Sequence, residues 1–190
     1  MSEKRKRKYR AHTAAQEGEP RSGLWSGIKM IGVALLIAFF VTRFVLSATV
    51  VEGISMHETL QDQDRLLVLK LGISASRVKR GDIVVFRAPD APDRNYVKRV
   101  IGLPNEFVQI EGGRVYINGE RLPEDYINTE YTRTSDATEW VVGENELFVL
   151  GDNRLEGESK DSRIFGPISG DSLVGWAFFR FYPWSAMGGL

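Results

Sequence analysis

A chain of 190 residues with 43% hydrophobic content can hold one good core, with room for a small second lobe. It has no cysteine, which excludes both a disulfide framework and a thiolate nucleophile. The formal net charge of +0 hides an asymmetry: residues 1–23 carry seven Lys/Arg against three Glu, whereas residues 47–190 carry sixteen against twenty-two acids.

The basic residues bunch at Lys4, Arg5, Lys6, Arg7, Lys8 and Arg10, and an apolar stretch from Leu24 to Val51 follows, interrupted by Lys29 and Arg43. The 23 residues from Leu24 to Leu46 make about 34 Å of helix, enough to cross a hydrocarbon core of roughly 30 Å. Lys29 can snorkel to one interface and Arg43 to the other, and Trp25 falls where an interfacial aromatic belongs. This predicts a cytoplasmic basic tail over 1–23, a transmembrane anchor over 24–46 and an extracytoplasmic domain over 47–190, held single-pass in the cell membrane. The competing reading is a cleaved secretory leader, because the strictly uncharged run Met30–Thr42 has only 13 residues. The long basic leader and the lack of a clean small-x-small site after the apolar run favour the anchor. A basic run beside a span is a topology signal, so no nucleic-acid partner is expected.

Beyond the span the texture is β. Short runs rich in Val, Ile and aromatics predict strands at Leu66–Lys70, Asp82–Phe86, Asn95–Ile101, Phe107–Ile110, Arg114–Ile117, Arg121–Leu122, Glu139–Val142, Leu147–Leu150 and Leu173–Phe181. Gly and Pro separate them, and Asn118-Gly119 between two β runs predicts a hairpin with a type I′ turn. Residues 123–138 are polar and read as a loop excursion at the tip of a small lobe. The last strand, with Trp176, Phe178, Phe179, Phe181, Tyr182 and Trp184, fits either a central core strand or a lip dipping into the membrane interface. His12 sits in the basic tail and His57 stands alone, so no metal site, cofactor or histidine triad is expected.

Lys98 lies inside one predicted strand, on the same face as Tyr96 and Val100, while Arg99 points the other way toward solvent or a carboxylate. An ammonium among apolar neighbours has its pKa pushed down, and a neutral lysine can serve as a general base. Ser55, in Gly53-Ile54-Ser55-Met56, is a hydroxyl such a base could activate. Taken singly, Lys98 is a snorkelling strand residue and Asp161/Arg163 a solvent pair.

Four motifs follow the span in order: Gly53 to Leu60, Gly81 to Phe86, Tyr96 to Pro104, and Gly151-Asp152-Asn153-Arg154 with Ser159 to Arg163. Together they closely resemble the bacterial type I signal peptidases (leader peptidases), in the compact single-span form typical of Gram-positive bacteria. The resemblance runs from the anchor nearly to the C-terminus. It implies a mainly β fold, in which an N-terminal transmembrane helix precedes a β-rich catalytic domain with a small inserted lobe, about residues 104–146. It also implies a membrane-anchored serine endopeptidase that removes signal peptides from exported preproteins at Ala-x-Ala-like sites. The partners expected are those signal peptides and the lipid bilayer.

By the same resemblance Ser55 is the nucleophile and Lys98 the general base. Ser159 would orient the Lys98 amine, with Ser162 as the alternative. Asp161 and Arg163 would form a structural ion pair, and Asp152 would add a carboxylate contact. Met56 would pack in the substrate cleft. Gly53 stands where some family members carry a hydroxyl that helps bind the oxyanion, so a backbone group or water would substitute. An extended substrate would add to a sheet edge, with Ile83, Val84, Val85 and Phe86 of one strand and Tyr96 and Val97 of another as candidate walls. Ser55 lies about nine residues past the span, at most ~32 Å of extended chain, which places the reaction close to the outer membrane surface.

Three departures from the family pattern stand out. Glu58 occupies the place of a usual proline, Leu155-Glu156-Gly157-Glu158 is two residues longer than usual, and Asn105-Glu106 replaces Gly-Asp. The alternatives to a general signal peptidase are a maturase for one dedicated substrate and a non-catalytic membrane-tethered module that binds preproteins. A self-cleaving repressor would need a DNA-binding domain where residues 1–50 supply a span.

Overall fold

The computed structural model describes residues 21–190 apart from 128, 130, 135 and 136, so most of the basic tail, including His12, lies outside the described residues. The chain divides into an N-terminal unit ending at Val41 and a second unit, Thr42–Leu190. Helix α1 (Arg21–Phe40) runs into a π-helical turn, Val41–Val45. Within this segment Trp25–Val45 is a 21-residue helix of mean hydropathy 2.1, long and apolar enough to cross a bilayer. The helical segment ends at Val45, and Leu46 opens the first strand.

The second unit is mainly β. Its strands are β1 (Leu46–Val50), β2 (Arg65–Leu69), β3 (Ile83–Ala88), β4 (Ala91–Gly102), β5 (Phe107–Glu111), β6 (Arg114–Ile117), β7 (Glu120–Arg121), β8 (Glu139–Val141), β9 (Glu146–Leu150), β10 (Ile168–Ser169), β11 (Leu173–Tyr182) and β12 (Gly188–Gly189). One short helix, α2 (Ser162–Phe165), precedes β10. The large sheet has the order β1-β2-β11-β3-β4-β9-β10, with β12 added to β11; the small sheet has the order β7-β6-β5-β8. The predicted strands all recur, with ends shifted by a few residues. Strands β1, β10 and β12 are not among the predicted ones: β10 and β12 are two-residue pairs, and β1 continues the apolar run that precedes it.

Turn chemistry follows the residues. Asn118 (φ 52°) and Gly119 (φ 85°) close the β6–β7 hairpin, as a type I′ turn requires. In Leu103–Glu106 the left-handed position is taken by Asn105 (φ 66°), which tolerates it next best to glycine. Glu106 accepts from the Leu103 N–H at 2.7 Å and from Arg80 Nη2 at 2.6 Å. The Asn-Glu departure therefore keeps the turn and its acceptor.

Strand β11 takes the central place that the core-strand reading expects. Between β2 and β3 it buries Gly175 and Ala177, while Phe178 and Tyr182 stand exposed further along and Trp184 beyond them is 77% exposed. The two sheets share a core of Ile101, Phe148 and Leu150 from β4 and β9 against Val108, Ile110, Val115, Ile117 and Val142 of the small sheet side. Gly102, the last residue of β4, sits in that seam: a methyl there would meet Val108 Cγ2 at 2.6 Å and Phe148 Cβ at 2.9 Å. Gly102→Ala should destabilise the second unit by about 1–3 kcal/mol, the cost of overpacking a filled core, read as a lower urea midpoint with an unchanged slope.

Candidate active site

The chain between β1 and β2 carries Ser55 on a tight turn, closed by the His57 N–H donating to the Ile54 carbonyl at 3.1 Å. Met56 and Leu60 fix that turn to the body. Both are buried in one core cluster with Val51, Leu66, Val68 and Val85, and the Leu60 N–H donates to the Met56 carbonyl at 2.8 Å. The nucleophile candidate is thus carried by packing on either side of it.

Lys98 comes from β4, in register with Val84 of β3. Its strand-mate Tyr96 lies on the same face, the ring centroid 5.4 Å from Nζ. The side chain is 4% exposed, and Nζ hydrogen-bonds Ser55 Oγ at 2.6 Å and the Val97 carbonyl at 3.1 Å. Burial pushes the amine down from 10.5 to about 8; Asp161 and Asp152 pull it part of the way back, and Arg163 acts with burial.

Both carboxylates are clamped. Arg99 binds Asp152 through two nitrogens, Nε to Oδ1 at 2.8 Å and Nη2 to Oδ2 at 2.6 Å, and the Thr59 hydroxyl donates to Asp152 Oδ2 at 2.6 Å. Arg163 likewise grips Asp161, with Nε to Oδ1 and Nη2 to Oδ2 each at 2.8 Å. Burial alone would raise the Asp161 carboxyl. The hydrogen bonds and charge of Arg163, with the Gly151 N–H and the Ser159 hydroxyl, outweigh it and hold the group below its usual value. For Arg99, burial works against the charged form and the Asp152 bonds more than compensate.

The loop after β9 supports Ser55 from below. The Asn153 N–H donates to the Ser55 carbonyl at 3.0 Å, and Asn153 Nδ2 to the Ile54 carbonyl at 3.1 Å. Gly151 packs so closely on the Ser55 carbonyl that any Cβ would collide with it and with Ser159 Oγ.

Above the Ser55–Lys98 contact opens a cleft of about 530 Å³. One wall is Thr49–Met56, the other Arg94–Lys98, with Glu158 and Lys160 at the rim. Both walls are strand edges. Strand β1 pairs on one side only, and β9 pairs with β4 from Arg99 onward, leaving Arg94–Lys98 bonded to β3 alone.

Residues 24–184 match the family model described as signal peptidase, peptidase S26. The chain belongs to this family. It is a serine endopeptidase by that membership. A signal peptidase I of Leptolyngbya laminosa is 38% identical over 190 residues, covering 95% of this chain and 90% of that one. A signal peptidase IB of Staphylococcus aureus (strain N315) is 35% identical over 173 residues, covering 82% and 87%. A solved signal peptidase I from Enterococcus faecalis V583 is 36% identical, covers 53% of this chain and 96% of that one, and has a TM-score of 0.45.

Within this signal peptidase family member, several expected site residues do converge. Ser55, Lys98, Gly53, Met56, Tyr96 and Val97 all line the cleft. The expected β3 wall does not. Ile83, Val84, Val85 and Phe86 are buried in the core, because β3 is flanked by β11 and β4 and covered on both faces. Four apolar residues in a row already carried that message, since a strand buried on both faces does not alternate. The wall opposite Arg94–Lys98 is instead the segment leading into Ser55. Ser159 gives its proton to Asp161 Oδ2 at 2.7 Å, and Ser162 Oγ accepts from the Val149 N–H at 2.9 Å, so the hydrogen bonds of Lys98 go to neither serine. Glu58 lies exposed, 3.2 Å from His57 Nδ1.

The lowered lysine pKa is also a statement about stability. Below pH 8 the folded state must hold a charge it disfavours, and between about 8 and 10.5 the unfolded chain binds more protons, so stability rises with pH in that window. Lys98→Met should therefore raise the unfolding free energy at pH 7, by up to about 3 kcal/mol less the lost Ser55 hydrogen bond. Denaturant melts at pH 7 and pH 10.5 should show that advantage shrinking as pH rises.

Proposed function

We propose that this peptidase removes signal peptides from exported preproteins with Ser55 as nucleophile and Lys98 as general base, while its N-terminal helix holds it in the cell membrane. The observation that carries the reading is the 2.6 Å contact between a buried amine and a hydroxyl at the floor of a cleft bounded by two open strand edges.

At that distance the neutral amine can accept the Ser55 proton as Oγ attacks the scissile carbonyl carbon. The negative charge then forms on the carbonyl oxygen. Among the described residues nothing accepts from the Ser55 N–H, which leaves it free to bind the oxyanion. The ammonium gives its proton to the leaving amine, the mature chain departs, and water, deprotonated by the same lysine, releases the signal peptide from the acyl-enzyme. No histidine is needed, because burial does for Lys98 what intrinsic basicity does for imidazole.

Substrate geometry follows from the walls. An extended segment entering between Val50–Ile54 and Asn95–Lys98 can hydrogen-bond along either edge, with alternate side chains directed to the floor. Met56 and Tyr96 both line the cleft, and their bulk favours small residues there, as in an Ala-x-Ala site. The 21-residue apolar helix nine residues before Ser55 supports a site near the bilayer surface, with the basic tail on the cytoplasmic side.

Cleavage of a preprotein with an Ala-x-Ala site, in detergent or lipid, tests the reading. Ser55→Ala and Lys98→Ala should each lose about 10⁴-fold or more in kcat, with cleavage in the wild type after the second alanine. A folded wild type inactive on several unrelated preproteins, or a Lys98→Ala variant that keeps its rate, overturns it. Because the base must be neutral, kcat/KM for free enzyme should rise with pH through a midpoint near 8 and level off above it. A rate independent of pH from 6 to 10 would remove Lys98 from the role.

A further inference from the structure

The connection between β7 and β8 in the small lobe reaches the site through two arginines. Arg154 is fully buried and its three nitrogens are all used. Nε donates to the Gly151 carbonyl at 2.7 Å, Nη1 to Thr132 Oγ1 at 2.7 Å, and Nη2 to Glu124 Oε1. The Tyr126 hydroxyl donates to the same Glu124 oxygen at 3.1 Å, and the Tyr126 ring lies over the Arg99 guanidinium at 4.2 Å. Glu124 and Tyr126 thus hold, from one side, the two arginines whose other partners are Gly151 and Asp152.

Those partners touch the nucleophile's own segment. Gly151 packs on the Ser55 carbonyl, Asn153 hydrogen-bonds it, and Asp152 binds Thr59, four residues beyond Ser55. Arg154 brings a full charge into a buried site, and among the described residues Glu124 is the acid bonded to it, so a carboxylate is required at position 124. We propose that Glu124 and Tyr126 are positioning residues for the reaction. Glu124 acts through Arg154 on Gly151, and Tyr126 acts through Arg99 on Asp152, so that the small lobe sets the placement of Ser55. The proposal rests on the Ser55/Lys98 reading for its kinetic consequence and on the contacts alone for its structural one.

Displacing a nucleophile by even 1 Å costs on the order of 10²-fold, so in folded protein Glu124→Gln should lower kcat by about 10- to 100-fold while KM stays within about twofold. Glu124→Asp should recover part of the loss. Glu124→Gln leaves a buried guanidinium unpaired and risks misfolding, so Tyr126→Phe and Tyr126→Leu form a second pair. The first keeps the ring over Arg99 and loses only the hydroxyl on Glu124, so it should retain more of the wild-type kcat than the second, which removes the ring and should fall about tenfold. Hydrogen exchange reads the coupling without any substrate: amides in Gly53–Leu60 should exchange about tenfold faster in Glu124→Gln and Tyr126→Leu, with Leu66–Leu69 unchanged. Wild-type kcat in both variants with unaltered exchange overturns the proposal, as does a uniform loss of protection over all strands. If the wild type cleaves no preprotein yet exchange at Gly53–Leu60 responds, the lobe still positions Ser55 and the catalytic reading is the one that fails.

Discussion

The site depends on keeping one amine out of water and, among the described residues, without an ion pair of its own. Lys98 has two carboxylates nearby, Asp152 and Asp161, either of which would restore its charge if left bare. Each is gripped in two-pronged fashion by an arginine, Arg99 and Arg163 respectively. The guanidiniums take up the negative charge locally, so burial remains the largest influence on the amine. A buried ion pair is a poor source of stability in itself. Here the two pairs make possible a polar, hydrogen-bonded loop beside a lysine that nonetheless loses its proton near pH 8.

The fold produces this arrangement where strand pairing stops. Strand β9 runs antiparallel to β4 as far as the Leu150–Arg99 pair, one residue short of Lys98. There β9 leaves the sheet, and the residues it delivers next are Gly151, Asp152 and Asn153, the ones that support Ser55. The departure also exposes the edge Arg94–Lys98. One topological event therefore creates a free edge, frees the lysine to reach across it, and supplies the loop beneath the serine.

Much of this was legible in the sequence. The strands were readable from β-branched runs and turn glycines, and Ser55 and Lys98 from chemically suited residues in ordered motifs. What was not legible has physical causes. Strand β1 is masked by the hydrophobic span before it, since both are apolar and only the partner β2 distinguishes them. Motif order points to β3 as a cleft wall, since it says which segments matter and not which edge of a strand is free. Glu124 and Tyr126 sit in a polar loop with no periodicity, and their contacts with Arg154 and Arg99 span 30 and 27 residues of chain. The motif places Ser159 at the lysine, but a hydroxyl two residues from a buried carboxylate has a closer acceptor in Asp161.

The two open edges have a further consequence for how the molecule coexists with copies of itself. A pair of unbonded strand edges is a template for any extended chain. The charged side chains Glu52, Arg94, Glu158 and Lys160 all stand at the cleft. A flat, regular strand from a neighbouring molecule would have to strip water from those charges before pairing, whereas a flexible segment of small residues can thread between them. The charged border thus guards the open edges against sheet-to-sheet aggregation and keeps the recess between them closed to folded protein.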